Sequence, residues 1–226
     1  MDVGVFLDFP REGRSGDAEA FQESLSLAQL SEELGFDSVW LAELHFYPNI
    51  SVISAPLIVA TAVATITKTI RVGTAVEVLP LANPIRLAEE VATLDHVSGG
   101  RFDFGIGRSG AATGYTSYGI PYSESTARFW ECLDVLRQAW TQDTFSHHGY
   151  FHHYENVTLA PKPFQNPYPP IRIAANSAET FPRAAQEGLS LFIGLRGVPT
   201  VLRERLQSYR TKWMQEGHPT KSNVFL

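Results

Sequence analysis

What most constrains this chain is a rhythm: short β-branched or aromatic runs alternate with longer stretches of helical period. The runs at 3–7, 38–42, 70–75, 101–107, 171–175, 190–194 and 224–226 read as strands, giving seven strand starts separated by six helices. Such alternation demands a parallel sheet with right-handed crossovers. A helix opens near Asp17 as N-cap and closes at Gly35, with Leu27, Leu30 and Leu34 as its expected inward stripe. The second starts at about Ser54 and tolerates Pro56 in its first turn. Asn83 caps the third, with Leu87, Val91 and Leu94 inward and Gly99-Gly100 at its end. The fourth follows Ser123, on a stripe of Phe129, Leu133, Leu136 and Trp140. Between 144 and 170 the rhythm breaks into an expected hairpin from Phe145 to Tyr154 and a proline-rich passage. The last two helices end near Gly188 and Gly217, the final one with Leu202, Leu206, Tyr209 and Trp213 on one stripe. A doubly wound sheet and a closed barrel both fit this order. No Gly-x-Gly-x-x-Gly follows the first strand, which weakens a dinucleotide-binding version.

Composition narrows the function classes. The 226 residues are 44% hydrophobic and 19% charged, as in one large globular domain. A net charge of −6, with acids spread along the chain, argues against nucleic acid. Cys132 is the single cysteine, so no internal disulfide forms. The first apolar run is too short for a signal peptide and no stretch is long enough to span a bilayer, so a cytoplasmic protein is expected.

Polar residues gather where the strands finish, the end of a barrel that carries function. The second strand runs into Glu43 and His45, the third into Thr74 and Glu77, the sixth into Arg196. The fourth ends Gly105-Ile106-Gly107-Arg108-Ser109-Gly110, where small residues admit a ligand to the backbone and a guanidinium can grip a phosphate with two N–H groups. The fifth ends Asn176-Ser177-Ala178-Glu179-Thr180 at a helix start, a second anion-binding pattern. Taken singly, Ser177 as a helix cap and Arg108 paired with a rim carboxylate remain open; together they favour a phosphate between the fourth and fifth strands. The histidines 147, 148, 152 and 153 alternate across a hairpin and lack a cysteine or carboxylate at ligand spacing, so no metal is expected. Glu23, Glu32 and Glu33 read as solvated helix residues, and Trp130, Trp140 and Trp213 as packing.

The run Gly35-Phe36-Asp37-Ser38-Val39-Trp40-Leu41-Ala42-Glu43-Leu44-His45-Phe46 resembles the second-strand signature of the luciferase-like flavin monooxygenases. Val72-Gly73-Thr74-Ala75-Val76, the run from Leu94 to Arg108 and Pro170 to Ser177 are similar to the same family. The resemblance implies an α/β fold of the (β/α)8 TIM-barrel type, over one domain spanning 1–226. That barrel is incomplete, at about six and a half βα units, with the hairpin and proline-rich insertion between its fourth helix and fifth strand. It implies FMN, in reduced form as co-substrate, with Ala75 and Val76 against the ring system at a non-proline cis peptide. Arg108, Ser177 and Thr180 would hold the phosphate, with Gly107 and Asn176 beside them. The family commonly has Glu-His-His where this chain has Glu43-Leu44-His45; Leu44 cannot move protons, which leaves Glu43 and His45 as the catalytic candidates, against a rim histidine of structural use only.

Three functions follow as expectations. The first is a monooxygenase using reduced FMN and O2 on a small organic substrate, supplied by a flavin reductase, behind an apolar mouth of Leu44, Phe46, Val76 and Leu195. The second is hydride transfer with the deazaflavin F420. The third is a shortened, non-catalytic flavin-binding protein. The second helix, apolar all round from Leu57 to Val63, points to a homodimer through helices two and three.

Overall fold

A computed structural model describes residues 2–11, 16–194, 199–219 and 224–225. The chain divides into two compact units, 1–170 and 171–226. In the first, β1 (Gly4–Leu7), β2 (Ser38–Leu41), β3 (Arg71–Thr74) and β5 (Phe102–Gly107) lie parallel in that order. Helices α1 (Asp17–Glu33), α2 (Pro56–Ile66) and α3 (Pro84–Val97) are the crossovers. A two-residue strand, β4 (Glu77–Val78), joins the far end of β5 at Ile106 and Gly107. After β5 come a short α4 (Ala112–Ser117), the long α5 (Ser125–Thr141), and an antiparallel hairpin of β6 (Phe145–His148) and β7 (His153–Val157). The second unit holds β8 (Ile171–Ala174), α6 (Thr180–Gln186), β9 (Ser190–Phe192), α7 (Pro199–Gln215) and β10 (Val224–Phe225), its strands parallel in the order β8, β9, β10.

All six β5 residues are buried, as a strand covered on both faces requires. Burying Phe102 and Phe104 stabilises the unit by about 2 kcal/mol each. Trp40 fits because glycines stand on both flanking strands. A Cβ at Gly73 would lie 2.1 Å from its six-membered ring, and one at Gly4 2.7 Å from its Nε1. Nε1 donates to Ser38 Oγ at 2.9 Å, which satisfies the buried indole.

Several sequence expectations need correction. Leu27, Leu30 and Leu34 do not face inward; they are 49%, 44% and 67% exposed. The buried line of α1 is Ala20, Ser24, Ala28 and Ser31, small residues that let the helix approach its neighbours closely. Asp17 is the first helical residue and Gly16 the N-cap, its N–H taken by Glu19 at 3.1 Å. β3 falls within the expected third strand, but the short β4 after it was not expected, and α4 falls where no helix was expected. Glu32 is a structural acceptor: its carboxylate receives the backbone N–H of Lys68, Thr69 and Ile70. Burial alone would raise this carboxyl, but those bonds and the Thr69 hydroxyl outweigh it and hold the pKa at about 2. Among the described residues no helix is long and apolar enough to cross a membrane.

Candidate functional site

The chain leaving β2 places Glu43 and His45 in contact, Glu43 Oε1 lying 2.5 Å from His45 Nε2. Their side chains are 6% and 12% exposed, so the pair is largely withdrawn from water. The second carboxylate oxygen accepts the N–H of Val78 on β4 at 2.6 Å, which fixes the Glu43 head. His45 Nδ1 faces the Tyr118 hydroxyl at 3.4 Å, and the rings of His45, Phe46 and Tyr118 form a cluster with centroids 5.3–5.9 Å apart. Phe46 sits at φ 63° and is 58% exposed. A carboxylate, an imidazole and a phenol thus stand in line, able to hold or pass a proton.

A cavity of about 580 Å³ opens beside the pair, lined in part by Leu57, Leu81, Val78, Glu77, Arg86 and Tyr118. Arg86 is engaged by Glu90 at 2.7 Å. Glu77 Oε2 is buried and accepts no hydrogen bond from a described residue. Burial first, then the negative charges of Glu43 and Glu90, push the Glu77 carboxyl well above the ordinary carboxylate range. Thr74, by contrast, is a core residue: it is fully buried and donates to the Gly105 carbonyl at 2.7 Å.

Ala75 and Val76, both half-buried, are joined by a cis peptide bond, as the resemblance implied. Gly107 ends β5 in full burial. The next residue, Arg108, is half-buried; its Nη1 donates to Ser125 Oγ at 2.9 Å and its guanidinium lies 5.5 Å from the Tyr122 ring centroid. Tyr115 donates its hydroxyl to the Arg108 carbonyl. Burial pushes the Tyr115 phenol up to about 12, so it remains a donor at any ordinary pH. In the second unit, Asn176 and Ser177 follow β8 and are exposed, with Ser177 Oγ 2.9 Å from Thr180 Oγ1. The Asn176 carbonyl accepts from Arg205 at 2.7 Å. Leu195, Arg196 and Leu226 lie outside the described residues.

The histidine hairpin is built around one acid. Glu131 on α5 accepts the N–H groups of Tyr150, Phe151 and His152, and His147 lies 3.5 Å from it. Among the described residues no group of three His, Cys, Asp or Glu side chains is arranged to hold a metal. Sequence reasoning missed Tyr115, Tyr118, Tyr122 and Ser125. Their signal was three tyrosines spaced by three and four residues directly after a glycine-rich strand end.

A family model described as luciferase-like monooxygenase matches residues 1–225. The alkanal monooxygenase alpha chain of Photorhabdus luminescens is 34% identical over 197 residues, which cover 85% of this chain and 53% of that protein. The oxygenase component of the flavin-dependent trigonelline monooxygenase of Acinetobacter baylyi is 31% identical, covering 84% and 53%. The crystal structure of the monooxygenase RslO1 from Streptomyces bottropensis superposes with a TM-score of 0.93 at 30% identity, over 99% of this chain and 69% of that one. Two structures share the fold alone: a Baeyer-Villiger oxygenating constituent with FMN (TM-score 0.88, 22% identity) and an F420-dependent secondary alcohol dehydrogenase (0.83, 19%). The chain spans about half the length of the curated relatives it matches. The fold class is therefore α/β of the TIM-barrel type, with part of the barrel's units in this chain.

Proposed function

The chain belongs to the luciferase-like monooxygenase family, and we propose that it is the oxygenase of a flavin-dependent monooxygenase, using reduced FMN and O2 on a small organic substrate. The observation that carries this reading is Arg108: Nη1 is held by Ser125, while its other N–H groups donate to no described residue. That arrangement fits a phosphate, which a guanidinium meets best with two parallel N–H groups. The family motif assigns Ala75 and Val76 to the ring system, Gly107 to the backbone approach, and Asn176, Ser177 and Thr180 to the cofactor as well. All of 1–226 is taken as one barrel domain.

Bound reduced flavin supplies the electrons that activate O2. The part of this chain is to exclude water and manage a proton. Val76, Leu44 and Phe46 would keep the reacting face dry. Glu43, fixed by the Val78 N–H, orients His45 through its Nε2 contact. His45 would then move the proton at Nδ1, toward Tyr118 or the substrate. A flavin reductase is the partner this chemistry needs, in keeping with a relative described as an oxygenase component. A homodimer through α2 and α3 is also proposed, from Ile58, 73% exposed, and Ile66 on the outer side of α2.

The test is a fluorescence titration with FMN and with F420, using Arg108→Ala as control. FMN binding weakened on the order of 10–100-fold by the substitution supports the reading. F420 binding without FMN binding would replace it with hydride transfer, and binding of neither would sink both.

A further inference from the structure

We infer that the segment 115–125 is a clamp that aims the Arg108 guanidinium, with Ser125 and Tyr122 as positioning residues that make the site select a phosphate-bearing flavin over an uncharged one. The inference rests on the FMN reading above and deepens it.

A long arginine side chain loses much rotamer freedom when it meets a ligand, and less when something already holds it. Here both ends of Arg108 are held by one short stretch of chain. Its carbonyl receives the Tyr115 hydroxyl, and its Nη1 donates to Ser125 Oγ at 2.9 Å. Ser125 is 1% exposed, at the start of the 17-residue α5, so its hydroxyl is fixed in place. The Tyr122 ring lies under the guanidinium at 5.5 Å, and Tyr115 in turn props Tyr122 edge-on, with ring centroids 5.0 Å apart at 88°.

With one Nη1 N–H given to Ser125, the Nε–Nη2 edge donates to no described residue and has the geometry for a two-pronged grip on phosphate. No carboxylate among the described residues competes for it. The acid next to Ser125, Glu124, is taken by Arg128 at 2.8 Å. The clamp thus presents a positive group whose charge awaits an anion, which is the element that tells FMN from riboflavin.

The experiment is a binding titration of FMN and of riboflavin, followed by flavin fluorescence, on the full chain and on Arg108→Ala, Ser125→Ala, Ser125→Thr, Tyr122→Leu and Tyr122→Phe. Arg108→Ala should lose FMN on the order of 10–100-fold and leave riboflavin unchanged. Ser125→Ala should weaken FMN about fivefold and Tyr122→Leu about threefold, again with riboflavin unchanged. Ser125→Thr, which keeps the hydroxyl, and Tyr122→Phe, which keeps the ring, should restore FMN affinity. If Ser125→Ala and Tyr122→Leu bind FMN like the parent while Arg108→Ala does not, the clamp is wrong and the FMN reading survives. Equal losses for FMN and riboflavin would show a structural role and overturn the clamp. If Arg108→Ala leaves FMN binding intact, or the parent binds neither flavin, the FMN reading fails and takes the clamp with it.

Discussion

Glu32 and Glu77 stand at opposite ends of the same parallel strands, and their environments are opposites too. Glu32, where the strands begin, receives three backbone N–H groups and a hydroxyl, and its pKa falls to about 2. Glu77, where they finish, keeps an oxygen that pairs with no described residue and has its carboxyl raised by burial and two neighbouring acids. The contrast extends to the residues around them. At the starting end Arg101 donates to the carbonyls of Ala64, Thr67, Ile70 and Ser98, which ties the end of α2 to the loop before β5. Asp95, fully buried, takes both the backbone and side-chain N–H of Gln165. At the finishing end, Arg108 keeps donors in reserve and Glu43 and His45 form a nearly dry pair. One end satisfies its polar groups and stabilises; the other leaves some unsatisfied, as sites do.

Arg101→Ala should strike the first end hardest. It strands several carbonyls, and a loss of about 3 kcal/mol in denaturant unfolding is expected with flavin affinity unchanged. A large loss of flavin affinity at preserved stability would erase the division between the ends.

Glu77→Gln should do the reverse. A carboxyl raised in the folded state stabilises below the unfolded pKa of 4.5 and loses that contribution as pH climbs through the folded value. The glutamine variant is therefore expected to be more stable than the parent by about 1 kcal/mol at pH 8, with the gain gone at pH 4. Thermal unfolding at the two pH values checks it, and an equal gain at both would refute the buried-charge account.

Glu32→Gln gives the smallest effect and the opposite slope. A carboxyl lowered in the folded state contributes above 4.5, and that contribution fades as pH falls toward 2. The parent should lose its small advantage over the variant in that window, read from acid unfolding curves followed by circular dichroism.

Much of this was legible in the sequence because it rested on period and punctuation. The crossover helices, Gly35 at φ 81° and the Asn83 cap on Arg86 followed from local chemistry. The inward face of α1 was not legible: leucine hydrophobicity outvoted the small residues, whose role depends on how closely a neighbour approaches. At the site, Glu43 and His45 were found from their place after a strand, and the structure brings them into contact. Tyr118 was not, since it comes from a loop 73 residues further along, and no local pattern encodes a contact of that separation. The raised carboxyl of Glu77 was not legible for the same reason: the charges that add to its burial, Glu43 and Glu90, come from elsewhere in the chain.

The most direct test of the two-ended account is one variant measured twice: Arg108→Ala, in denaturant unfolding and in FMN titration. An unfolding midpoint close to the parent's and FMN affinity reduced on the order of 10–100-fold are expected. A lowered midpoint with FMN affinity intact would contradict it, and would place Arg108 with the residues that hold the fold together.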